Sequence, residues 1–205
     1  MRCLRSLGVL AASAALVVAS CSQPRSDQAA ISFNASEDPH TLDPLLAQSD
    51  DEEQIAHLAF DMLVDVDARG RLVPALATEV PTVANGGISA DGRTITYHLR
   101  RGVRWQDGAP FTSHDVWFTW RAIVDPRNDV PSTRGYDLIG SIATPDQYTA
   151  IVRLKRPWAP AVSTFFSYGV HAVPIVPAHL LEGRPLRGSS FAEHPIGTGP
   201  YEVTD

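Results

Sequence analysis

The plainest alternation in the chain runs over residues 94–99. Ile95, Tyr97 and Leu99 share one side and Thr94, Thr96 and His98 the other, which predicts a half-buried β-strand. Ile55, Leu58, Ala59, Met62 and Leu63 recur instead at helical spacing. Ser49 precedes them, and Glu52 three residues later completes a capping-box signal, so the pattern predicts an amphipathic helix over residues 50–63. A second box, Thr112 with Asp115, stands before Val116, Trp117, Phe118 and Trp120 and predicts a helix over residues 113–124.

Shorter segments fill the intervals. Residues 31–33 suggest a first strand, and residues 38–44 a proline-bounded loop. Val64 and Val66 alternate before a hairpin-like break at residues 68–71, after which residues 72–77 continue as an extended segment interrupted by Pro74. Asp91-Gly92 and Asp107-Gly108 are turn dipeptides. Residues 139–143 and 149–154 flank Thr144-Pro145-Asp146-Gln147 as a hairpin. Short helices are expected over residues 159–166 and from Pro177 through Leu181, and a loop at residues 197–200 leads into a strand at 201–203. Strands and helices interleave, so the fold class is mixed α/β.

The N-terminus has its own grammar. Arg2 and Arg5 precede an uncharged run over residues 7–19, too short for a comfortable span of a bilayer but ordered like a secretory signal. Val18-Ala19-Ser20-Cys21 resembles a bacterial lipobox, in which the Cys thiol is acylated and becomes the first mature residue; an unlipidated signal peptide is the alternative. Residues 1–20 are then the signal, and residues 21–29, polar and small, a tether. Cys3 would leave with the signal, so Cys21 has no disulfide partner and lipid attachment accounts for it.

Composition narrows the partners. With 17 Lys plus Arg against 23 Asp plus Glu in 205 residues, nucleic acid is excluded as a partner. Loss of the signal leaves 15 basic and 23 acidic residues, a net charge of -8, so attraction to anionic lipid does not hold the protein at a membrane. At 44% hydrophobic and 20% charged, the chain has the mix of a globular protein. The 16 prolines limit uninterrupted helix.

Six segments occur in an order that resembles the family 5 extracellular solute-binding proteins, the peptide, oligopeptide and nickel-binding lipoproteins of ABC importers. They are Thr41-Leu42-Asp43-Pro44, Leu72-Val73-Pro74-Ala75-Leu76-Ala77, Asp91-Gly92 with residues 94–105, Asp107-Gly108, Phe111-Thr112-Ser113-His114-Asp115-Val116, and Pro195-Ile196-Gly197-Thr198-Gly199-Pro200-Tyr201. The resemblance implies a periplasmic binding protein-like clamshell with an extra inserted domain, of which this chain holds only the first lobe. Residues 30–48 would start domain I, residues 49–174 form the inserted domain, and residues 175–205 return to domain I, the chain being cut short after Asp205. It further implies a monomer, without cofactor or catalysis, that binds a peptide-like solute, passes it to permease subunits and is held to the membrane by its lipid. A nickel chelate, an opine or an oligosaccharide are alternative ligands, and a lipoprotein hydrolase or an envelope structural protein are alternatives from other classes.

By the same resemblance the loop at residues 37–40 faces the cleft, with Glu37, Asp38 and His40 as candidate ligand contacts; solvated loop carboxylates are the other interpretation. Tyr168 and His171 are further candidates, in the stretch returning toward domain I. Arg100, Arg101 and Arg104, beside turn glycines, are expected to be surface or ion-pair groups. Trp105, Trp117, Trp120 and Trp158 suit a core better than a ligand stack. None of the seven histidines pairs at zinc-site spacing, and Gly197-Thr198-Gly199 lacks the third glycine and the helix of a dinucleotide loop. Ser189-Ser190 lacks a nucleophile-elbow frame.

Overall fold

The computed structural model describes residues 35–168 and 173–204. The signal, Cys21, the tether, the strand expected at residues 31–33 and His171 lie outside them. Helix α1, Asp50–Ala59, carries the predicted capping box: Ser49 Oγ accepts the Glu52 N–H and the Glu52 carboxylate accepts the Ser49 N–H. The helix stops four residues short of expectation. Phe60 is extended, and Met62 and Leu63 leave the helix to pair with distant backbone, Leu63 N–H with Phe166 O (2.9 Å) and Leu76 N–H with Met62 O (2.9 Å). Their apolar side chains are buried as the pattern required, but through long-range pairing.

Strands β1 (Val64–Val66) and β2 (Leu72–Pro74) form the expected antiparallel hairpin, with Asp67 Oδ1 accepting the N–H groups of Arg69 and Arg71 across the turn. Strand β3, Thr94–His98, joins β4 (Ile139–Asp146) and β5 (Thr149–Leu154) in an antiparallel sheet of order β3-β5-β4. Ile95 lies opposite Val152 and Tyr97 opposite Ala150, all four fully buried, so the period-2 alternation faces one core. Helix α2, Ser113–Val124, covers this sheet with Val116, Thr119, Trp120 and Ile123 inward. Its start is fastened to the β4–β5 turn: Ser113 gives its N–H to Gln147 O (2.9 Å) and its hydroxyl to Asp146 O.

Two further segments differ from expectation. The helix at residues 159–166 shrinks to α3, Ala161–Thr164, because Phe165 is extended and Phe166 adopts φ 53°, a left-handed conformation rare for a bulky residue. Both rings are fully buried, and Tyr136 Oη accepts the Phe166 N–H at 2.7 Å, so packing and a hydrogen bond outweigh the backbone strain. Helix α4, Ala178–Leu181, follows Pro177 as predicted. Residues 201–203 are not a strand; the Tyr201 backbone bonds a side chain and a helix end, its carbonyl accepting from Gln106 Nε2 (2.8 Å) and its N–H donating to Leu58 O (3.3 Å).

Trp105 and Trp120 are buried, while Trp117 and Trp158 pack half-buried against the same core. The three arginines act on backbone and ring: Arg100 Nε donates to Ala75 O, Arg104 donates to Gly108 O, and the Arg101 guanidinium lies 4.4 Å from the centre of the Tyr148 ring.

Candidate functional site

Residues 36–49 wrap the start of α1, and two carboxylates of its first turn fix their course. Glu52 is buried and accepts four backbone N–H groups, His40 and Thr41 on one oxygen, Gln48 and Ser49 on the other. Burial pushes this carboxyl up, but the four donors outweigh that and leave it below its ordinary value of 4.5. Asp51 takes the hydroxyl and the N–H of Ser36, which lower it likewise. The turn between these anchors is closed by Asp43, whose Oδ1 accepts the Leu45 N–H at 3.0 Å. Its other oxygen is buried with no hydrogen-bond partner among the described residues, and desolvation pushes the group up to about 6.

This loop forms one wall of a cavity of about 250 Å³. Pro44, Leu45, Ala47 and Gln48 stand on that wall with Glu53 of α1, and the other side comes from Ile123, residues 130–132 and Val173. The lining mixes apolar side chains with the Gln48 amide, the Ser132 hydroxyl and the Glu53 carboxylate, which suits a solute held by hydrogen bonds along an apolar body. Gln48, Pro131 and Ser132 escaped the sequence analysis. The capping signal at Ser49 marks Gln48 as the residue before a helix, but nothing local joins it to a loop eighty positions away.

The structure separates the sequence-derived candidates. Glu37, Asp38 and His40 have exposed side chains beside the first turn of α1. Tyr168, 38% exposed, packs edge-on against His57 in the last turn of α1 (4.7 Å between ring centres), and His57 Nε2 lies 3.4 Å from Asp65 Oδ1. At ~1.5 Å of rise per residue, the five positions from Glu52 to His57 set the two groups at opposite ends of the helix. Among the described residues no cluster of His, Cys, Asp or Glu could hold a metal ion.

The segment Gly197-Thr198-Gly199 performs a structural task at that second end. Gly199 N–H donates to Ala59 O (2.9 Å) and Tyr201 N–H to Leu58 O (3.3 Å), while Gly197 exchanges two bonds with Gln106. The last carbonyls of α1, which a helix leaves unpaired, thus find donors from a segment about 140 residues further along the sequence. Leu42 N–H reaches Ala192 O (2.9 Å), so the loop of the candidate site is tied to the same returning stretch.

Comparison with known proteins bears on this arrangement. Residues 71–205 match the family described as Bacterial extracellular solute-binding proteins, family 5 Middle. Protein XP55 of Streptomyces lividans is 33% identical over 212 residues, covering 98% of this chain and 36% of that protein. Among solved structures, NikZ from Campylobacter jejuni in complex with Ni(L-His) aligns at TM-score 0.71 and 27% identity, over 82% of this chain and 31% of that one. Haemophilus influenzae OppA in complex with RPPGFSPFR aligns at TM-score 0.69 and 25% identity, over 82% of this chain and 34% of that one. The chain therefore spans about a third of the length of these relatives, with the mixed α/β fold of part of a periplasmic binding protein. It belongs to the family 5 extracellular solute-binding proteins.

Proposed function

We propose that this chain is part of the binding protein of an ABC importer, which captures peptides outside the cytoplasmic membrane and hands them to the permease without chemical change. The observation that carries the proposal is the loop at residues 40–49, held from beneath by Glu52 and lining the cavity with Gln48. A peptide offers backbone groups at regular intervals, and a prearranged loop meets them at little ordering cost. The relative crystallised with RPPGFSPFR supports a peptide as solute. Glu37, Asp38, His40 and Tyr168 remain proposed contacts, with His171 beyond the described residues. Residues 30–48 and 175–205 are assigned to the first domain and residues 49–174 to an insertion in it. Acylated Cys21 is proposed as the membrane anchor.

The test is to express the gene that carries this chain, purify the product, load it with a peptide pool and identify what remains bound after dialysis and denaturation. Intact peptides should be recovered, and adding them back should raise the melting temperature. Hydrolysed peptides would point to an enzyme. The Ni(L-His) relative supports a second solute class, a metal chelate; stabilisation by nickel with histidine, and by no peptide, would favour it. Incorporation of labelled palmitate in the wild type, lost in Cys21→Ser, checks the anchor.

A further inference from the structure

A second cavity, of about 210 Å³, opens beside the loop that follows α4. It shares no lining residue with the cavity next to Gln48. Leu180, Leu181 and Phe191 give it apolar walls, and Arg184, Ser189, Ser190 and His194 complete the lining.

One polar group here lacks the partner its position normally supplies, and a cation stands exposed beside it. Ser189 stands at the N-cap of a 3₁₀ turn, Ser190–Ala192, where a serine hydroxyl ordinarily accepts a backbone N–H. It makes no such bond, and its Oγ is buried without a hydrogen-bond partner among the described residues. A buried hydroxyl in that state calls for an explanation, since such groups are hydrogen-bonded in nearly all native structures. Arg184 lines the same space and makes no ion pair among the described residues. The nearby acids are engaged or exposed: Glu182 pairs with His114 at 2.9 Å, and Glu193 projects into solvent beside His194. An apolar hollow edged by the exposed Arg184 guanidinium and holding one unspent hydroxyl is complementary to a compact molecule with an apolar body and an anionic head. The volume suits a single ring with a short substituent, because a cavity of roughly 150 Å³ already holds benzene.

We propose that this cavity binds a small apolar carboxylate, its body against Phe191, Leu180 and Leu181 and its carboxylate on Arg184 and the Ser189 hydroxyl. The site is independent of the peptide proposal and stands or falls separately from it.

Phenylacetate is the probe, with phenethylamine and 2-phenylethanol as its cationic and neutral counterparts, titrated into the ¹⁵N-labelled wild-type chain. Phenylacetate should bind with Kd on the order of 1 mM, as expected for so small a ligand, and should move amide resonances of residues 180–194. Arg184→Gln should weaken it about tenfold, Ser189→Ala about threefold, and Arg156→Gln, a control at an exposed position, not at all. Equal binding of the amine, retention of affinity in Arg184→Gln, or shifts confined to residues beside Gln48 would each overturn the assignment. The wild-type resonance map decides the matter even if a variant fails to fold.

Discussion

Gly197 lies so close to Ala59 that a Cβ on the glycine would stand 1.8 Å from the Ala59 carbonyl oxygen. No rotamer relieves that overlap, because both groups are backbone. Gly197→Ala must push the returning segment off the end of α1 and break the bonds from Gly199 and Tyr201. The expected loss is at least about 3 kcal/mol, the upper part of the overpacking range. Gly70→Ala is the control. Its Cβ would meet nothing within 4 Å, and only φ +74° opposes it, so about 1 kcal/mol is expected. Urea denaturation of the two variants measures the difference.

Glu52 should be irreplaceable by its own amide. Glu52→Gln keeps the shape but turns an acceptor of two N–H groups into a donor facing them, which should cost about 2–3 kcal/mol at neutral pH. The carboxyl is lowered in the folded protein, so its contribution is present above its unfolded value and is lost as pH falls through the folded one. The stability gap between wild type and Glu52→Gln should therefore be widest near neutral pH and narrow as pH falls below the ordinary 4.5 and through the lowered folded value.

Asp43 runs the other way. Its folded value of about 6 exceeds the ordinary 3.8, so the folded state holds the proton more tightly than the unfolded one. This term favours folding below 3.8 and fades as pH rises through 6. At neutral pH the charged group costs on the order of 3 kcal/mol. Asp43→Asn removes the titration. Wild type should gain stability over this variant on going from about pH 7.5 to about pH 4.5, measured as the difference in melting temperature. A difference that stays flat across that interval would contradict the assignment.

The capping boxes and the face of β3 were legible because each is a short-range pattern whose partners lie within a turn or a strand. Ser49 and Glu52 announce their own geometry, and Ile95 and Tyr97 announce their own face. Met62 and Leu63 continue the helical spacing of α1 perfectly well; the Leu76 N–H on Met62 and the Phe166 carbonyl on Leu63, the latter about a hundred residues on, pull them out of it. The same holds for the candidate site. Residues 38–44 could be read as a loop from their prolines, whereas the cavity beside Gln48 and its opposite wall are assembled by tertiary packing and left no local trace.

Thr119 shows how much one hydroxyl can link. It donates to Asp115 O one turn back and accepts the Val176 N–H at 3.1 Å, while Asp115 Oδ1 accepts the Ala178 N–H at 3.0 Å. Helix α2 thus grips the strand-like approach to α4 at two successive turns. Thr119→Val is nearly isosteric but orphans a buried N–H, so about 1–3 kcal/mol should be lost. A double-mutant cycle with Asp115→Asn should show coupling, since the two residues hold one segment.

Asp61 N–H and Thr198 Oγ1 meet across 137 residues of sequence, in the seam where the returning segment caps α1. A chain emerging from the ribosome exposes Leu58 and Ala59 long before residues 197–201 exist. Helix α1 is therefore synthesised well before its closing turn can be completed, that turn waiting on closure of a loop of more than a hundred residues. Hydrogen exchange at Gly199 and Tyr201 should report closure of this seam between distant segments and not the formation of a local turn.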